Sequence, residues 1–518
     1  MVLRSPVSDI EIRDVPLHEF VLEDTGRRAD KPALIDGPSG RTITYGELTQ
    51  QVHAFAAGLA ARGLEPGEVV GIFSPNLPEY AVAFHGIARA GGTVTTVNPT
   101  STAKELGRQL SDAGARFLLT AQAFAETAVT AAEDSGVEQV FVFGEAEGLS
   151  PVTELMGDPD DAPEVSIDPA EHLVALPFSS GTTGLPKGVM LTHRNLVANV
   201  QQSVELLETT EDDVVIGVLP FFHIYGMTVI LNLALRNGAT VVTMPRFDLQ
   251  QFLELHQEHG ITQCYAVPPI VLALAKQPVI DQFDLSALNF VMCGAAPLSQ
   301  DLSEAASERL GCTVIQGYGM TETSPVTHVS PLERNKPGTV GVLLPNTEAK
   351  IVDVDTGEPV ETGDRGELLV RGPQIMAGYL NNQDATDAMI DEDGWLSTGD
   401  IAVVDEEGYF SIVDRVKELI KYKGYQVPPA ELEALLLEHD QIDDAGVIGR
   451  PDEEAGELPV AFVVAEGLEP DAVLSYVAER VAPYKRLRGV EFVDEIPKSA
   501  SGKILRRELA KLDDHAGE

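Results

Sequence analysis

Apolar and polar positions along this chain follow two periods that take turns. Residues 214–218 form a short run rich in β-branched residues, 225–236 have helical spacing, and 239–244 are again strand-like. Asp248 then stands where a helix needs an N-cap and Gly260 where it must stop, with Phe252 and Leu255 on one face between them. Residues 261–267 read as a strand, Pro268 and Pro269 open a helix, and 289–293 are a strand. The rhythm holds from about Thr42 to Asp414. Repeated strand–helix units predict parallel sheets covered by helices.

Two segments break the rhythm. Residues 166–191 hold a strand-like stretch at 173–177, a polar Gly/Thr loop, and a second apolar stretch at 189–191. A helix follows, with Leu196, Val200, Val204 and Leu207 on one stripe. The second break falls near 412–423. Beyond it, residues 413–420, a helix at 429–439, strands at 445–448 and 460–464 and a helix at 471–481 suffice for a small α+β domain. The predicted architecture is therefore multidomain, α/β and α+β. A large N-terminal domain of helix-covered sheets spans residues 1–414, and a small C-terminal α+β domain spans 415–518.

A chain of 518 residues is too long for one hydrophobic core, which agrees with that division. No apolar run is long enough to span a bilayer, and the first fourteen residues carry Asp9, Glu11 and Asp14 in place of a signal peptide's apolar region. Cys264, Cys293 and Cys312 lie in or beside apolar stretches, without metal-site spacing, and predict buried thiols in a reducing cytoplasm. The formal charge of −45 excludes nucleic acid and anionic membranes as partners. If the substrates are themselves anions, the scarce basic residues must gather where those substrates bind.

The densest chemical signal is the loop from Ser179 to Val189. Ser179, Ser180, Thr182 and Thr183 supply hydroxyl and amide donors, Gly181, Gly184 and Gly188 allow close approach, and Lys187 adds one positive charge. The combination suits a polyphosphate. It is not a Walker A loop, because Pro186 stands where that motif needs glycine.

This loop resembles the phosphate-binding motif of the adenylate-forming superfamily of acyl-CoA synthetases, luciferases and adenylation domains. The resemblance runs from Thr44-Tyr-Gly-Glu-Leu48 to Ser501-Gly-Lys-Ile-Leu505. Through Leu219-Pro-Phe-Phe-His-Ile-Tyr225 and Lys417-Glu-Leu-Ile-Lys-Tyr-Lys-Gly424 it is most similar to the 4-coumarate–CoA ligases. It implies a large domain followed by a small mobile one. The implied reaction is two-step: ATP and an acid give an acyl-adenylate, and coenzyme A then gives the thioester, with magnesium as cofactor.

The resemblance also assigns roles. Gly294, Ala295 and Ala296 with Gln316, Gly317, Tyr318 and Gly319 enclose the adenine. Thr321 meets the α-phosphate, Glu322 holds magnesium, and Asp400 takes the ribose hydroxyls. Arg415, Lys417, Lys421, Gln426 and Lys503 line the adenylate, with Lys503 entering to balance charge in the first step. Arg246, Lys423 and Gly424 face coenzyme A, and His223 gates the acid's carboxylate. The acid pocket maps onto Ile224, Tyr225, Thr228, Tyr265, Met292, Gly294, Ala295, Gly317, Gly319, Pro325, Val326 and Thr327. Its glycines predict a flat floor for a planar aromatic acid of the 4-coumarate or cinnamate type. Thr228 and Met292 stand where Asn and Lys are common, which predicts that cinnamate is accepted about as well as 4-coumarate. Tyr265 could reverse that preference by bonding a ring hydroxyl. A medium-chain fatty acid as substrate, a luciferase, or a carrier protein as acceptor are the competing readings.

Overall fold

The computed structural model describes residues 1–179, 186–423, 425–452, 455–499 and 502–516. Among these residues the strands form four sheets. One nine-stranded sheet is built on the parallel strands Val69–Phe73, Thr93–Val97, Ala115–Ala121 and Gln139–Phe143. Leu173–Ala175 continues it, and Lys187–Thr192 and Phe178–Ser179 follow antiparallel at that edge. The other nine-stranded sheet holds Pro32–Asp36, Thr240–Thr243, Val214–Gly217, Gln263–Ala266, Phe290–Cys293 and Thr313–Gly319 in parallel. It turns antiparallel where Thr313–Gly319 meets Val326–Val329. Helices cover both faces of a parallel sheet, so Thr240–Thr243 and Gln263–Ala266 are buried at every position.

A third sheet is antiparallel and includes Glu348–Val352, Gly366–Arg371, Leu396–Val404 and Phe410–Arg415. One of its faces is more open, and Gly366–Arg371 accordingly buries every second residue. The fourth sheet is the small C-terminal one. Ile420–Tyr422, Gly456–Ala465 and Ile442–Asp452 lie in it beside the helices Pro429–Leu437 and Pro470–Ala478. Leu432, Leu436, Val447, Val463, Val473 and Val477 form its own core. The large N-terminal and small C-terminal parts thus match the fold class read from the sequence. No described helix is long and apolar enough to cross a membrane.

The helix Leu249–His259 has the ends that the sequence predicts. Asp248 Oδ1 accepts the Gln251 amide at 2.9 Å, and Gly260 closes it at φ 58°. The helix His193–Leu207 buries Leu196, Val200 and Leu207, and its polar residues brace the site. Asn199 exchanges two hydrogen bonds with the Val326 backbone, and Asn195 Nδ2 donates to Pro373 and Ile375 carbonyls.

Two predicted elements differ. Residues 225–236 were expected as one regular helix, but Gly226–Asn232 is π-helical and only Leu233–Asn237 is α-helical. A Cβ on Gly226 would lie 2.2 Å from the Pro220 carbonyl oxygen, so the helix start is pressed against its own entry loop. π-turns of this kind frequently sit at functional sites. Residues 413–420 are not one element either. Phe410–Arg415 closes the third sheet, the Glu418 and Leu419 amides fold back onto the Arg415 carbonyl, and Ile420 starts the fourth sheet.

Candidate active site

Asp400 and Arg415 face each other on neighbouring strands of the third sheet. Asp400 is 4% exposed; its Oδ1 lies 3.1 Å from Arg415 Nε and its Oδ2 accepts the Tyr318 hydroxyl at 2.5 Å. Burial raises the Asp400 pKa against the opposing pull of Arg415 and Tyr318. Lys503 arrives from the far end of the chain. Its hairpin is closed by the Ser499 amide on the Lys503 carbonyl at 2.8 Å, and a Cβ on the neighbouring Gly502 would touch Val267 of the large domain at 3.2 Å. Burial lowers the Lys503 pKa, Arg415 lowers it further, and Glu418 and Asp400 counteract. The structure therefore brings Lys503, Arg415, Asp400 and Tyr318 together. Arg506, three residues beyond Lys503, moors this hairpin by bonding Glu433 and, at 2.9 Å, Glu418.

A second group forms around Glu322, which is 5% exposed in the turn Thr321–Thr323. Its Oε1 accepts hydrogen bonds from Ser179 Oγ and from the Tyr379 hydroxyl, both 2.8 Å. Lys187 Nζ sits 4.6 Å from the centre of the Tyr379 ring. Ser179 thus bonds Glu322 directly, and Lys187 is linked to it through Tyr379, a residue that no sequence motif singles out. The described residues contain no cluster of three or more His, Cys, Asp or Glu able to hold a metal. A lone carboxylate with one oxygen outside these bonds fits magnesium, which takes one or two carboxylates and fills its shell with substrate phosphates and water.

The segment Gly294, Ala295 and Ala296, expected to enclose adenine, follows the strand Phe290–Cys293. Ala295 adopts φ 70°, a left-handed conformation that costs a non-glycine residue about 1 kcal/mol. Gln316 Oε1 accepts the Leu298 amide at 3.2 Å and ties this segment to the next strand. Its Nε2 is buried without a partner among the described residues. Thr321 is partly exposed in the turn that buries Glu322.

His223 accepts the Tyr225 amide on Nδ1 at 3.2 Å, and burial lowers its pKa to about 4. The ring is therefore neutral at ordinary pH and carries its proton on Nε2, available to donate. Asn76 fixes the loop before it: Nδ2 donates to the Gly217 and Leu219 carbonyls and Oδ1 accepts the Phe221 amide. Nothing in the local sequence around Asn76 signals this, because its partners lie about 140 residues away.

The acid pocket corrects one expectation. Its glycines do not leave an open floor. The space left by Gly317 is taken by Met292, whose Cε would be 2.1 Å from a Cβ there. Gly319 is filled by the Pro325 carbonyl and Gly294 by the Tyr225 ring. Tyr225 in turn donates to the Met292 carbonyl at 3.1 Å. The Tyr265 hydroxyl donates to Gln263 at 3.0 Å, so its proton is engaged inside the protein. Thr228 Oγ1 is fully buried and has no partner among the described residues. Ile224, Pro325, Val326 and Thr327 are all buried, with Thr327 Oγ1 bonded to the Tyr318 carbonyl.

Lys417, Lys421, Lys423 and Arg246 are exposed and stand outside the buried group around Asp400. Lys423 is held at φ 48° with its amide on the Ala455 carbonyl. Ser180, Gly181, Thr182, Thr183 and Gly424, and the side chain of Gln426, lie outside the described residues.

A two-part enzyme with a buried carboxylate beside two cations, and a loop lysine linked through a tyrosine to a second buried carboxylate, is the class this fold and site define. The chain belongs to the AMP-binding enzyme family: the family's profile matches residues 22–380, and that of the AMP-binding enzyme C-terminal domain matches residues 431–503. It is 46% identical to 4-coumarate–CoA ligase 5 of Oryza sativa subsp. japonica, over 99% of this chain and 97% of the relative. It is 44% identical to 4-coumarate–CoA ligase of Pinus taeda, over 98% and 96% of the two chains. Among solved structures it superposes on an anthranilate CoA ligase in complex with anthranoyl-AMP with a TM-score of 0.90, at 26% identity over 97% of this chain and 98% of that one. ATP-bound MatB from Rhodopseudomonas palustris gives a TM-score of 0.88 at 29% identity, over 96% and 99%.

Proposed function

We propose that the protein is an ATP-dependent, AMP-forming acid–CoA ligase acting on hydroxycinnamate-type acids. The observation that carries the reading is the convergence of Lys503, from the C-terminal hairpin, on Asp400 and Arg415 of the third sheet. Near-full-length similarity to 4-coumarate–CoA ligases supports the acid class.

In the first half-reaction the acid's carboxylate attacks the α-phosphorus of ATP in line, and pyrophosphate leaves. Protein catalysis of such a transfer is mostly positioning and charge stabilisation. Lys503 and Arg415 balance the charge at the α-phosphate, and Lys187 holds the leaving phosphates. Asp400 and Gln316 orient ribose and adenine. Glu322 is the residue that would hold magnesium, which when bound screens the charge of the polyphosphate. In the second half-reaction the CoA thiol, as thiolate, attacks the acyl carbon and AMP leaves with the bonding electron pair. A neutral His223, with its proton on Nε2, is suited to hold the acyl oxygen. We place the division between large and small parts at 414/415 and infer that the small part moves between the two steps, so that the exposed Lys423 and Arg246 can meet CoA. Three unpaired cysteines support a cytoplasmic setting.

The test is CoA-thioester formation with ATP and magnesium across 4-coumarate, cinnamate, ferulate, benzoate and octanoate. Thioester chiefly from the first two supports the reading. Thioester chiefly from octanoate overturns the acid class, and adenylate without thioester overturns CoA as the acceptor.

A further inference from the structure

The Tyr379 side chain touches both halves of the phosphate machinery and belongs to neither. Its hydroxyl and Ser179 Oγ converge on the same oxygen of Glu322, each at 2.8 Å, which turns Oε2 away from the pair. Its ring, 4% exposed for the whole residue, forms a face 4.6 Å from Lys187 Nζ. The backbone is held as firmly. Tyr379 pairs with Val189 in an antiparallel ladder, and the Leu380 amide donates to the Gly188 carbonyl at 2.8 Å. The Tyr379 amide donates to Thr386 Oγ1 at 2.9 Å, and its hydroxyl also lies 2.8 Å from Met389 Sδ. A residue that served only to fill space would need neither the carboxylate nor the ammonium.

We propose that Tyr379 is a positioning residue that couples the magnesium-facing carboxylate to the phosphate-facing lysine: its hydroxyl orients Glu322 and its ring orients Lys187. The proposal rests on the reading that these two groups face ATP. A tyrosine suits this task because a hydrogen bond to a carboxylate and a cation over an aromatic face are both strong when desolvated. The two contacts are separable. Tyr379→Phe keeps the ring and removes the hydroxyl, whereas Tyr379→Leu removes both.

Equilibrium binding of ATP, measured by calorimetry with and without magnesium, distinguishes the contacts, and ATP–pyrophosphate exchange follows them into the reaction. In Tyr379→Phe we expect the gain in ATP affinity on adding magnesium to shrink by about tenfold, with magnesium-free ATP binding unchanged. In Tyr379→Leu both should weaken. Thioester formation from a chemically prepared acyl-adenylate should stay at the wild-type rate in Tyr379→Phe, with an unchanged melting temperature reporting intact folding. Tyr379→Phe with wild-type magnesium dependence in a folded protein overturns the coupling and leaves Tyr379 as packing. If wild type itself shows no magnesium-dependent gain, or Glu322→Gln retains it, the underlying reading of Glu322 fails first, and the proposal with it.

Discussion

Asp400 and Arg415 are direct cross-strand partners, and their contact is the point at which the two ends of the protein meet. Arg415 ends the strand Phe410–Arg415 of the antiparallel third sheet, and Lys503 comes within electrostatic range of both from the C-terminal hairpin. Two cations thus share one buried carboxylate. Such an arrangement is poised for an additional negative charge, which in the proposed reaction is the α-phosphate.

Lys503 should therefore titrate early. Burial and Arg415 both lower its pKa from the ordinary lysine value of 10.5. In the proposed mechanism the ammonium form stabilises the transition state, so adenylation should decline on the alkaline side with an apparent pKa below 10.5. Lys503→Arg should remove that limb, and Lys503→Ala should slow ATP–pyrophosphate exchange by about a hundredfold or more. A pH profile of exchange for the three proteins tests this. An alkaline limb retained in Lys503→Arg assigns the titration elsewhere.

Arg506 holds the hairpin in place from behind. It is bonded to Glu433 and Glu418, and it is close enough to Asp414 to lower that carboxyl's pKa. Burial nevertheless raises Asp414 to about 7. Removing the guanidinium leaves three carboxyls without their counter-ion, two of them largely buried. Arg506→Ala should destabilise the small domain by about 3 kcal/mol. Urea unfolding of the full chain would show a separate early transition if the small domain fails first.

The two-period pattern made the parallel sheets legible, because burial on both faces writes long apolar runs into the sequence. Caps such as Asp248 and Gly260 were legible for a similar reason, since each is a local contact with a side-chain signature. The unread parts depend on distant contacts. Asn76 and Tyr379 act through partners more than fifty residues away in sequence, and no local pattern encodes that. The π-helix at Gly226–Asn232 is not legible because all seven of its residues are buried, so no alternation of apolar and polar faces marks its turn. The glycines at 294, 317 and 319 were read as open space, whereas neighbouring side chains and a carbonyl fill it. Lys503, Asp400 and Glu322 were found by motif resemblance, and their mutual geometry was not.

Buried histidines set the acid limit of the fold. Burial lowers His85, His193 and His328 to about 3, and His223 and His256 to about 4. The unfolded chain protonates these near the ordinary value of 6.5, so between those limits the unfolded state binds more protons. Stability should fall as pH drops from 6.5 towards 4, with uptake of several protons on unfolding. Asp414, raised to about 7, works the other way, as do Asp400, Glu367 and Glu438, but burial also lowers His18 and His53, so the lowered histidines outnumber the raised carboxyls. Denaturant midpoints at pH 7.5, 6 and 5 measure the net slope; a midpoint that rises on acidification contradicts this account.

If Thr228 lines the acid pocket, as the resemblance implies, the choice between 4-coumarate and cinnamate rests on it. Its Oγ1 is buried and unpaired among the described residues, while the Tyr265 hydroxyl is already committed to Gln263. An unpaired buried hydroxyl costs about 1–3 kcal/mol, and a ring hydroxyl that reaches it recovers part of that cost. This shifts the expectation from equal acceptance towards 4-coumarate, by roughly tenfold in kcat/KM. Thr228→Val should bring the two acids level, chiefly by lowering the value for 4-coumarate. Met292→Ala tests the other wall: the methionine end that fills the space at Gly317 would be gone, so ferulate and other ring-methoxylated acids should gain relative to cinnamate. Steady-state kinetics of the three acids with the three proteins decides both points. An unchanged 4-coumarate to cinnamate ratio in Thr228→Val would place the ring hydroxyl away from residue 228.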